Sequence, residues 1–148
     1  MADHGFDQRA FQALSVEECR RLLAQQHLGR IGLVDADGPL ILPVNYVLHR
    51  LLVVFRTEAG TKLDAAVRGT RVAFEVDAVD HAGRSGWSVL VRGDATEVTD
   101  AEDLRRLRAL PLCPWAGWEQ GHYVRITPTA VSGRRISLPE GLPASWCG

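Results

Sequence analysis

The chain has 148 residues, a length at which a single domain with a sizeable core is expected. Its apolar fraction of 46% and its charged fraction of 24% are typical of soluble globular proteins. The formal net charge of −1 at pH 7 argues against a nucleic-acid binder that works by neutralising phosphates. A small, local basic pocket remains compatible with this charge.

No segment has the pattern of a targeting signal. The first residues are polar, and no apolar run approaches the ~20 residues of a membrane-spanning helix. The three cysteines, Cys19, Cys113 and Cys147, are widely spaced and form neither a zinc motif nor a disulfide framework. The sequence therefore predicts a cytoplasmic protein that binds neither a metal nor a membrane.

The elements follow one another as short helices between strands. Residues 1–14 are expected to be a flexible lead-in. A helix then begins at the capping box formed by Ser15 and Glu18 and runs to about Gln26. The predicted strands cover residues 28–34, 39–48, 51–55, 72–76, 87–98 and 122–136, and two further helices cover residues 60–68 and 100–110.

The connections between the strands favour an antiparallel barrel. Strands joined as hairpins point away from βαβ units, and Gly93 is a predicted bulge in the fifth strand. The third strand is apolar at every position, so both of its faces should be buried. We predict a mostly β domain at residues 15–136, with six strands and short helices, and a C-terminal tail at residues 137–148.

The segment after the third strand has the best pattern for binding an anion. Lys62 is the only lysine beside sixteen arginines, which suggests that a specific geometry retains it. Arg56 and Thr57 leave the strand, and Gly60 permits a close turn. Thr61 and Lys62 then open a helix, whose N-terminus suits phosphate, as does an arginine fork. The alternative is that Thr61 is only an N-cap and Arg56 a surface charge.

A second candidate segment, Pro43-Val44-Asn45-Tyr46, lies in the middle of the second strand. A proline at such a position marks a sheet edge or an irregularity. Asn45 is the only asparagine in the chain, and its amide could face a planar heterocycle. It could equally satisfy a backbone group nearby.

A third candidate segment contains Trp87 and Ser88 at the start of the fifth strand. Successive residues of a strand face opposite sides of the sheet, so these two side chains should point apart. A tryptophan here is more often a core or interface residue than a platform for ring stacking.

Taken together, these segments resemble the pyridoxamine 5′-phosphate oxidase-like flavoproteins, in the branch that includes nitroimidazole-reductase-like proteins. The resemblance covers about residues 15–136. It implies a six-stranded split β-barrel that forms a homodimer with FMN at the subunit interface. The matching motifs are Leu28-Gly29-Arg30, Pro43-Val44-Asn45-Tyr46, Phe55-Arg56-Thr57, Gly60-Thr61-Lys62, Phe74-Glu75-Val76-Asp77, Gly86-Trp87-Ser88-Val89 and Gly133-Arg134-Arg135.

The resemblance also implies a role for each candidate segment. Arg56, Thr57, Thr61 and Lys62 would hold the flavin phosphate. The backbone from Pro43 to Tyr46, with the Asn45 side chain, would face the isoalloxazine ring, and Trp87 and Ser88 would lie near the flavin, from the other subunit. Only a short tail follows Gly133-Arg134-Arg135, which argues against oxidation of pyridoxamine phosphate itself.

The sequence thus favours an FMN-dependent oxidoreductase that reduces a small, planar, electron-poor compound. No side chain stands out as an obligatory acid or base. A deazaflavin-dependent reductase of the same fold is an alternative, for which Arg84, Arg92 and Arg134 could supply additional cations. A non-catalytic protein that binds flavin or haem is another. The apolar third strand and the four tryptophans favour a homodimer.

Overall fold

The structure, a computed structural model, describes residues 11–80, 82, 85–112 and 121–137. Residues 1–10 of the predicted lead-in, residues 138–148 of the predicted tail, and Arg84 lie outside these ranges. In chain order the elements are β1 (Phe11–Leu14), α1 (Val16–Ala24), β2 (Leu28–Asp35), β3 (Gly38–His49), β4 (Leu52–Glu58), α2 (Lys62–Val67), β5 (Thr70–Asp80), β6 (Ser85–Glu97), α3 (Ala101–Arg108) and β7 (Gly121–Ser137).

Six strands form a closed ring in which every neighbouring pair is antiparallel. Their order is β7-β4-β3-β2-β5-β6, and the pairing of β6 with β7 closes the ring. Closure gives each of these strands a partner on both sides over at least part of its length. The predicted antiparallel barrel is therefore confirmed.

The strand count within the described residues is seven, and the prediction of six is wrong. The additional strand, β1, lies in the segment predicted as a lead-in and pairs with Gly133 to Ile136 of β7. β7 is 17 residues long, whereas β4 covers the same edge only from Gly121 to Ile126. The rest of that edge would otherwise be open, and β1 fills part of it.

The predicted bulge at Gly93 is confirmed. The register between β6 and β7 shifts between Arg92 and Gly93. A Cβ atom at position 93 would lie 2.2 Å from the carbonyl oxygen of Thr127. Only glycine lets the two backbones approach this closely, which explains why the irregularity falls here.

The capping box predicted at the start of α1 is present. The Ser15 hydroxyl accepts a hydrogen bond from the N–H of Glu18 at 3.2 Å, and the Glu18 carboxylate accepts one from the N–H of Ser15 at 2.8 Å. The buried side of α1 packs on the main core through Cys19, Leu22 and Leu23. None of the helices in the described residues is long and apolar enough to cross a membrane.

β4 is buried on both faces, as its apolar run predicts. Val53 and Phe55 belong to the main core, while Val54 packs in a second cluster with residues of α3 and β7. None of these three side chains is more than 2% exposed. The chain itself therefore covers this strand, so the apolar run of β4 is not evidence for a second subunit.

Candidate functional site

A tight turn from Glu58 to Thr61 joins β4 to α2. The N–H of Thr61 donates to the carbonyl of Glu58 at 3.2 Å, and Gly60 has a φ of +80°. A hydrogen bond across four residues with a left-handed third residue is typical of a type II turn. Glycine adopts this conformation without strain, so Gly60 allows the close turn expected here.

Thr61 is the N-cap of α2. Its hydroxyl oxygen accepts a hydrogen bond from the N–H of Asp64 at 3.1 Å, and its O–H donates to the carbonyl of Glu58 at 2.8 Å. Both roles of this hydroxyl are therefore used inside the turn. Lys62, the next residue, is the first residue of α2.

Two cations lie at the two ends of this connection. The Lys62 side chain is 80% exposed, and its Nζ lies 3.8 Å from a carboxylate oxygen of Asp37, which is similarly exposed. Such a surface ion pair contributes little to stability, so the ammonium group is accessible to another anion. Arg56 is half-buried, and its guanidinium carbon lies 5.5 Å from the ring centroid of Tyr123.

Thr57 faces the interior rather than the solvent. It is 2% exposed, and its hydroxyl lies 2.8 Å from Oδ1 of Asp64 and 3.3 Å from the carbonyl oxygen of His122. The hydroxyl has one proton, which goes to the shorter and charged partner. Thr57 therefore stabilises the connection from its interior side.

No sequence motif marks Asp64 as a site residue, although it is central to this connection. It is 3% exposed. Burial raises the pKa of its carboxyl group, but hydrogen bonds to the ionised form outweigh burial and leave the pKa well below its usual value. Its donors are His122 Nδ1 at 2.7 Å, the Thr57 hydroxyl at 2.8 Å, Arg68 Nη2 at 2.7 Å and the N–H of Gly60 at 3.2 Å.

His122 links this carboxylate to the neighbouring strands. Its Nδ1 carries a proton toward Asp64, because an ionised carboxylate can only accept. Its Nε2 lies 3.6 Å from Glu97 Oε1 at the end of β6, and Arg68 lies 3.8 Å from the same carboxylate. We call this set the Asp64 network; its members are Thr57, Gly60, Asp64, Arg68, Glu97 and His122.

The second candidate segment lies in β3 and alternates as a strand should. Val44 and Tyr46 point into the barrel, whereas Pro43 and Asn45 lie on the other face. The Tyr46 hydroxyl donates to the carbonyl of Leu23 at 2.6 Å, and burial raises its pKa. The Tyr46 side chain is therefore a core group, and this residue can offer a ligand only its backbone.

The position of Pro43 in the middle of a strand has a simple explanation. β3 pairs with β2 up to Asn45, but its pairing with β4 begins only at Tyr46. The N–H of Tyr46 donates to His27, on the β2 side. The backbone nitrogens of successive strand residues point to alternate edges, so the Pro43 nitrogen points to the edge opposite β2. There β3 has no strand partner among the described residues, and no ladder hydrogen bond is lost.

Trp87 and Ser88 lie on β6 and point to opposite faces, as predicted. Trp87 is partly buried and packs against the main core. Ser88 stands opposite Asp77 on one side and Arg134 on the other. In the ring β6 is separated from β3 by β2 and β5, about 14 Å across the sheet.

One chain thus brings together only part of the predicted site. Arg56, Thr57, Thr61 and Lys62 share one connection, and the segment from Pro43 to Tyr46 lies on the neighbouring strand. Trp87 and Ser88 do not join them. No group of three His, Cys, Asp or Glu side chains in the described part of the chain is placed to hold a metal ion.

The closed antiparallel ring with short helices in its connections defines the class of split β-barrel proteins. Comparison with known proteins agrees with this class. The sequence matches the family described as pyridoxamine 5′-phosphate oxidase over residues 15–135. The chain belongs to this family.

Relatives with similar sequences and structures are known. Uncharacterized protein Rv0080 of Mycobacterium tuberculosis is 41% identical over 135 residues, which cover 88% of each chain. The FAD binding protein from Mycobacterium smegmatis is 40% identical, with a TM-score of 0.78 over 86% of this chain and 100% of that one. A FAD-binding protein from Mesorhizobium loti is 26% identical, with a TM-score of 0.71 over 86% of this chain and 99% of that one.

Proposed function

We propose that the protein binds a flavin through its phosphate group and uses it to reduce a small, planar, electron-poor compound. The main observation behind this proposal is the β4–α2 connection. It carries the accessible ammonium of Lys62 on one side of a tight turn and the guanidinium of Arg56 on the other. Membership of the family and the 40% identical FAD binding protein support it.

The phosphate would be held by cations rather than by hydroxyl groups. Lys62 forms its surface ion pair with an exposed carboxylate, and a phosphate dianion would displace that carboxylate readily. Arg56 adds a planar fork with two parallel donors. Thr57 and Thr61 would have to leave their present partners in order to donate, so we assign them the role of supporting the turn.

The isoalloxazine ring would lie along the edge of β3 that has no strand partner in the described part of the chain. Pro43 and Asn45 face that edge, and β4 leads from there to the phosphate-binding turn. A bound flavin supplies hydride and single-electron transfer. The chain's contribution is to bind and orient the ring with the backbone of Pro43 to Tyr46 and with the Asn45 amide.

We also propose a homodimer with the flavin at its interface. We define the outer face as the exposed side of β3, β2 and β5 that carries Leu28, Val34, Ile41 and Val79. These side chains are 43%, 66%, 70% and 64% exposed. The same face carries the ion pairs of Arg30 with Glu75 and Asp77, and such a mixture of exposed apolar and charged side chains is typical of a protein–protein interface. A second copy on this face would also supply its own β6, with Trp87 and Ser88, which one chain leaves about 14 Å away from β3.

The cofactor is FMN in this proposal, with FAD and a deazaflavin as alternatives. The name of the Mycobacterium smegmatis relative favours FAD. Arg92 and Arg134 lie on β6 and β7 with exposed side chains and would suit the second phosphate group of FAD or the longer, more acidic tail of a deazaflavin. Release of the cofactor from purified protein, followed by its absorbance spectrum and mass, distinguishes the three.

The same preparation tests the proposal as a whole. We expect the purified protein to be yellow or to take up flavin in a titration; a colourless protein that takes up none would overturn the proposal. After reduction of the bound flavin by NADH or NADPH, a nitroaromatic acceptor should reoxidise it faster than oxygen does. If oxygen is always the faster acceptor, the protein is a flavin binder and not a reductase of such compounds.

A further inference from the structure

The position of the Lys62 backbone is not fixed by the Lys62 side chain itself. The ammonium group pairs with the exposed Asp37 carboxylate, and such a contact holds little. At Gly60, two residues earlier, a Cβ atom would have no described neighbour within 4 Å. Packing against the turn at Gly60 is therefore sparse. The bonds from Thr61 to the Glu58 carbonyl shape the turn, but they do not fix it to the rest of the barrel.

The buried Asp64 carboxylate links the turn to the rest of the structure. Its carboxylate accepts from Thr57 at the end of β4, from Gly60 in the turn and from Arg68 after α2. These donors lie before, within and after the segment that carries Lys62. One buried side chain therefore ties together both ends and the middle of the connection.

The carboxylate is in turn held against β7. His122 pairs with Thr57 across the β4–β7 ladder, and its Nδ1 lies 2.7 Å from Asp64 Oδ1. The His122 ring is itself flanked by Glu97 and Arg68. The turn is thus anchored to two strands of the barrel and not only to its own helix.

We propose that Asp64 is a positioning residue for the flavin phosphate: it does not touch the flavin, but with His122 it holds the β4–α2 turn so that Arg56 and Lys62 converge on one phosphate. The inference rests on the proposed function. A carboxylate offers four acceptor positions, and all four are used here, so no uncharged side chain reproduces the arrangement.

The test compares two ligands that differ only in the phosphate. Dissociation constants of FMN and riboflavin are measured for wild-type protein and for Asp64→Asn, whose amide group turns one acceptor into a donor facing other donors. We expect the preference for FMN over riboflavin to fall at least about tenfold in Asp64→Asn, with riboflavin affinity unchanged within about twofold. An unchanged preference would overturn the inference.

A pair of His122 variants keeps the inference testable if Asp64→Asn folds poorly. The amide nitrogen of an asparagine occupies nearly the place of the histidine Nδ1, so His122→Asn should keep the preference for FMN. His122→Leu removes the donor and should lower that preference, by less than Asp64→Asn because three donors to Asp64 remain. Equal preferences in the two variants would contradict the proposed role of His122.

Two controls separate positioning from loss of stability. Val91→Ala weakens the core and should leave the preference for FMN unchanged. Asp94→Asn breaks an exposed ion pair with Arg71, on β5 and β6, and should also have no effect. If wild-type protein binds no flavin, both the proposed function and the inference fail; if it prefers FMN and Asp64→Asn does too, only the inference fails.

Discussion

The β4–α2 connection and the outer face are both surface regions of the barrel, but they are stabilised in opposite ways. In the connection, polar groups find their partners within the chain, and Asp64 alone accepts four hydrogen bonds. On the outer face, apolar side chains such as Ile41 and Val34 remain more than 60% exposed. The buried polar groups of the first region are satisfied within one chain. The apolar side chains of the second region are exposed in one chain, and a partner on this face would bury them.

The difference separates two parts of the proposed function. The geometry of the phosphate site should depend on residues of a single chain, so it should survive when a dimer is dissociated. The surroundings of the flavin ring should depend on the second copy. Substitutions in the β4–α2 connection should therefore leave dimerisation unchanged, and substitutions on the outer face should leave phosphate binding unchanged.

The largest effect is expected from Asp64→Ala. This change leaves Arg68, His122, Thr57 and Gly60 without their shared acceptor, and we expect the free energy of unfolding to fall by about 3 kcal/mol. Urea denaturation measures it. Asp94→Ala, at an exposed ion pair, should cost less than about 0.5 kcal/mol; equal losses in the two variants would show that the Asp64 network stabilises nothing.

Acid should remove the contribution of Asp64 as well. Its pKa in the folded protein lies below the usual 3.8, so the folded state favours the ionised form. That stability is fully present above the ordinary pKa and is lost as the pH falls toward the lowered one. The difference in unfolding free energy between wild type and Asp64→Asn should shrink as the pH falls below about 4. A difference that grows on acidification would contradict the assignment.

The outer face is tested by Ile41→Asp. A charge in place of this exposed apolar side chain should raise the dissociation constant of the homodimer at least about tenfold, while the fold of each chain remains intact. Sedimentation or light scattering measures the change. Leu51→Asp is the matched control, because Leu51 is also more than half exposed but lies in the turn between β3 and β4. Equal behaviour of the two variants would argue against this face as the interface.

A smaller loss of stability than that of Asp64→Ala is expected from glycine substitutions. Gly60 and Gly69 have φ angles of +80° and +67°, and a Cβ atom added at either position would meet no described atom within 4 Å. Gly60→Ala and Gly69→Ala should each cost about 1 kcal/mol through backbone strain alone. Only Gly60→Ala should also weaken FMN binding, because only Gly60 lies in the turn. Similar FMN affinities would show that the turn conformation is irrelevant to the ligand.

Local patterns in the sequence predict much of the fold. The capping box at Ser15, the bulge at Gly93 and the buried β4 each depend on residues close together in the chain or on a steric demand that only glycine meets. β1 escapes prediction because its partner in β7 lies more than a hundred residues away, as the pairing of Phe11 with Ile136 shows. Four residues carry too little pattern to indicate such a partner.

The candidate site is predictable in part for the same reason. Lys62, Arg56 and the turn at Gly60 lie in one short segment, and their spacing indicates an anion site. The threonine and aspartate at positions 61 and 64 have the spacing of a helix start, which is the one local signal for Asp64. The contact with His122 spans 58 positions, and nothing in the sequence near either residue indicates it.

The central claim is that Lys62 and Arg56 hold a flavin phosphate, and a titration with FMN tests it most directly. Lys62→Ala should raise the dissociation constant of FMN at least about tenfold, about 1.4 kcal/mol, because one charged phosphate contact is lost. Riboflavin, which lacks the phosphate, should bind the variant as it binds wild type, and Arg71→Ala should bind FMN normally. If Lys62→Ala binds FMN as tightly as wild type, the phosphate is not held at this turn and the account is contradicted.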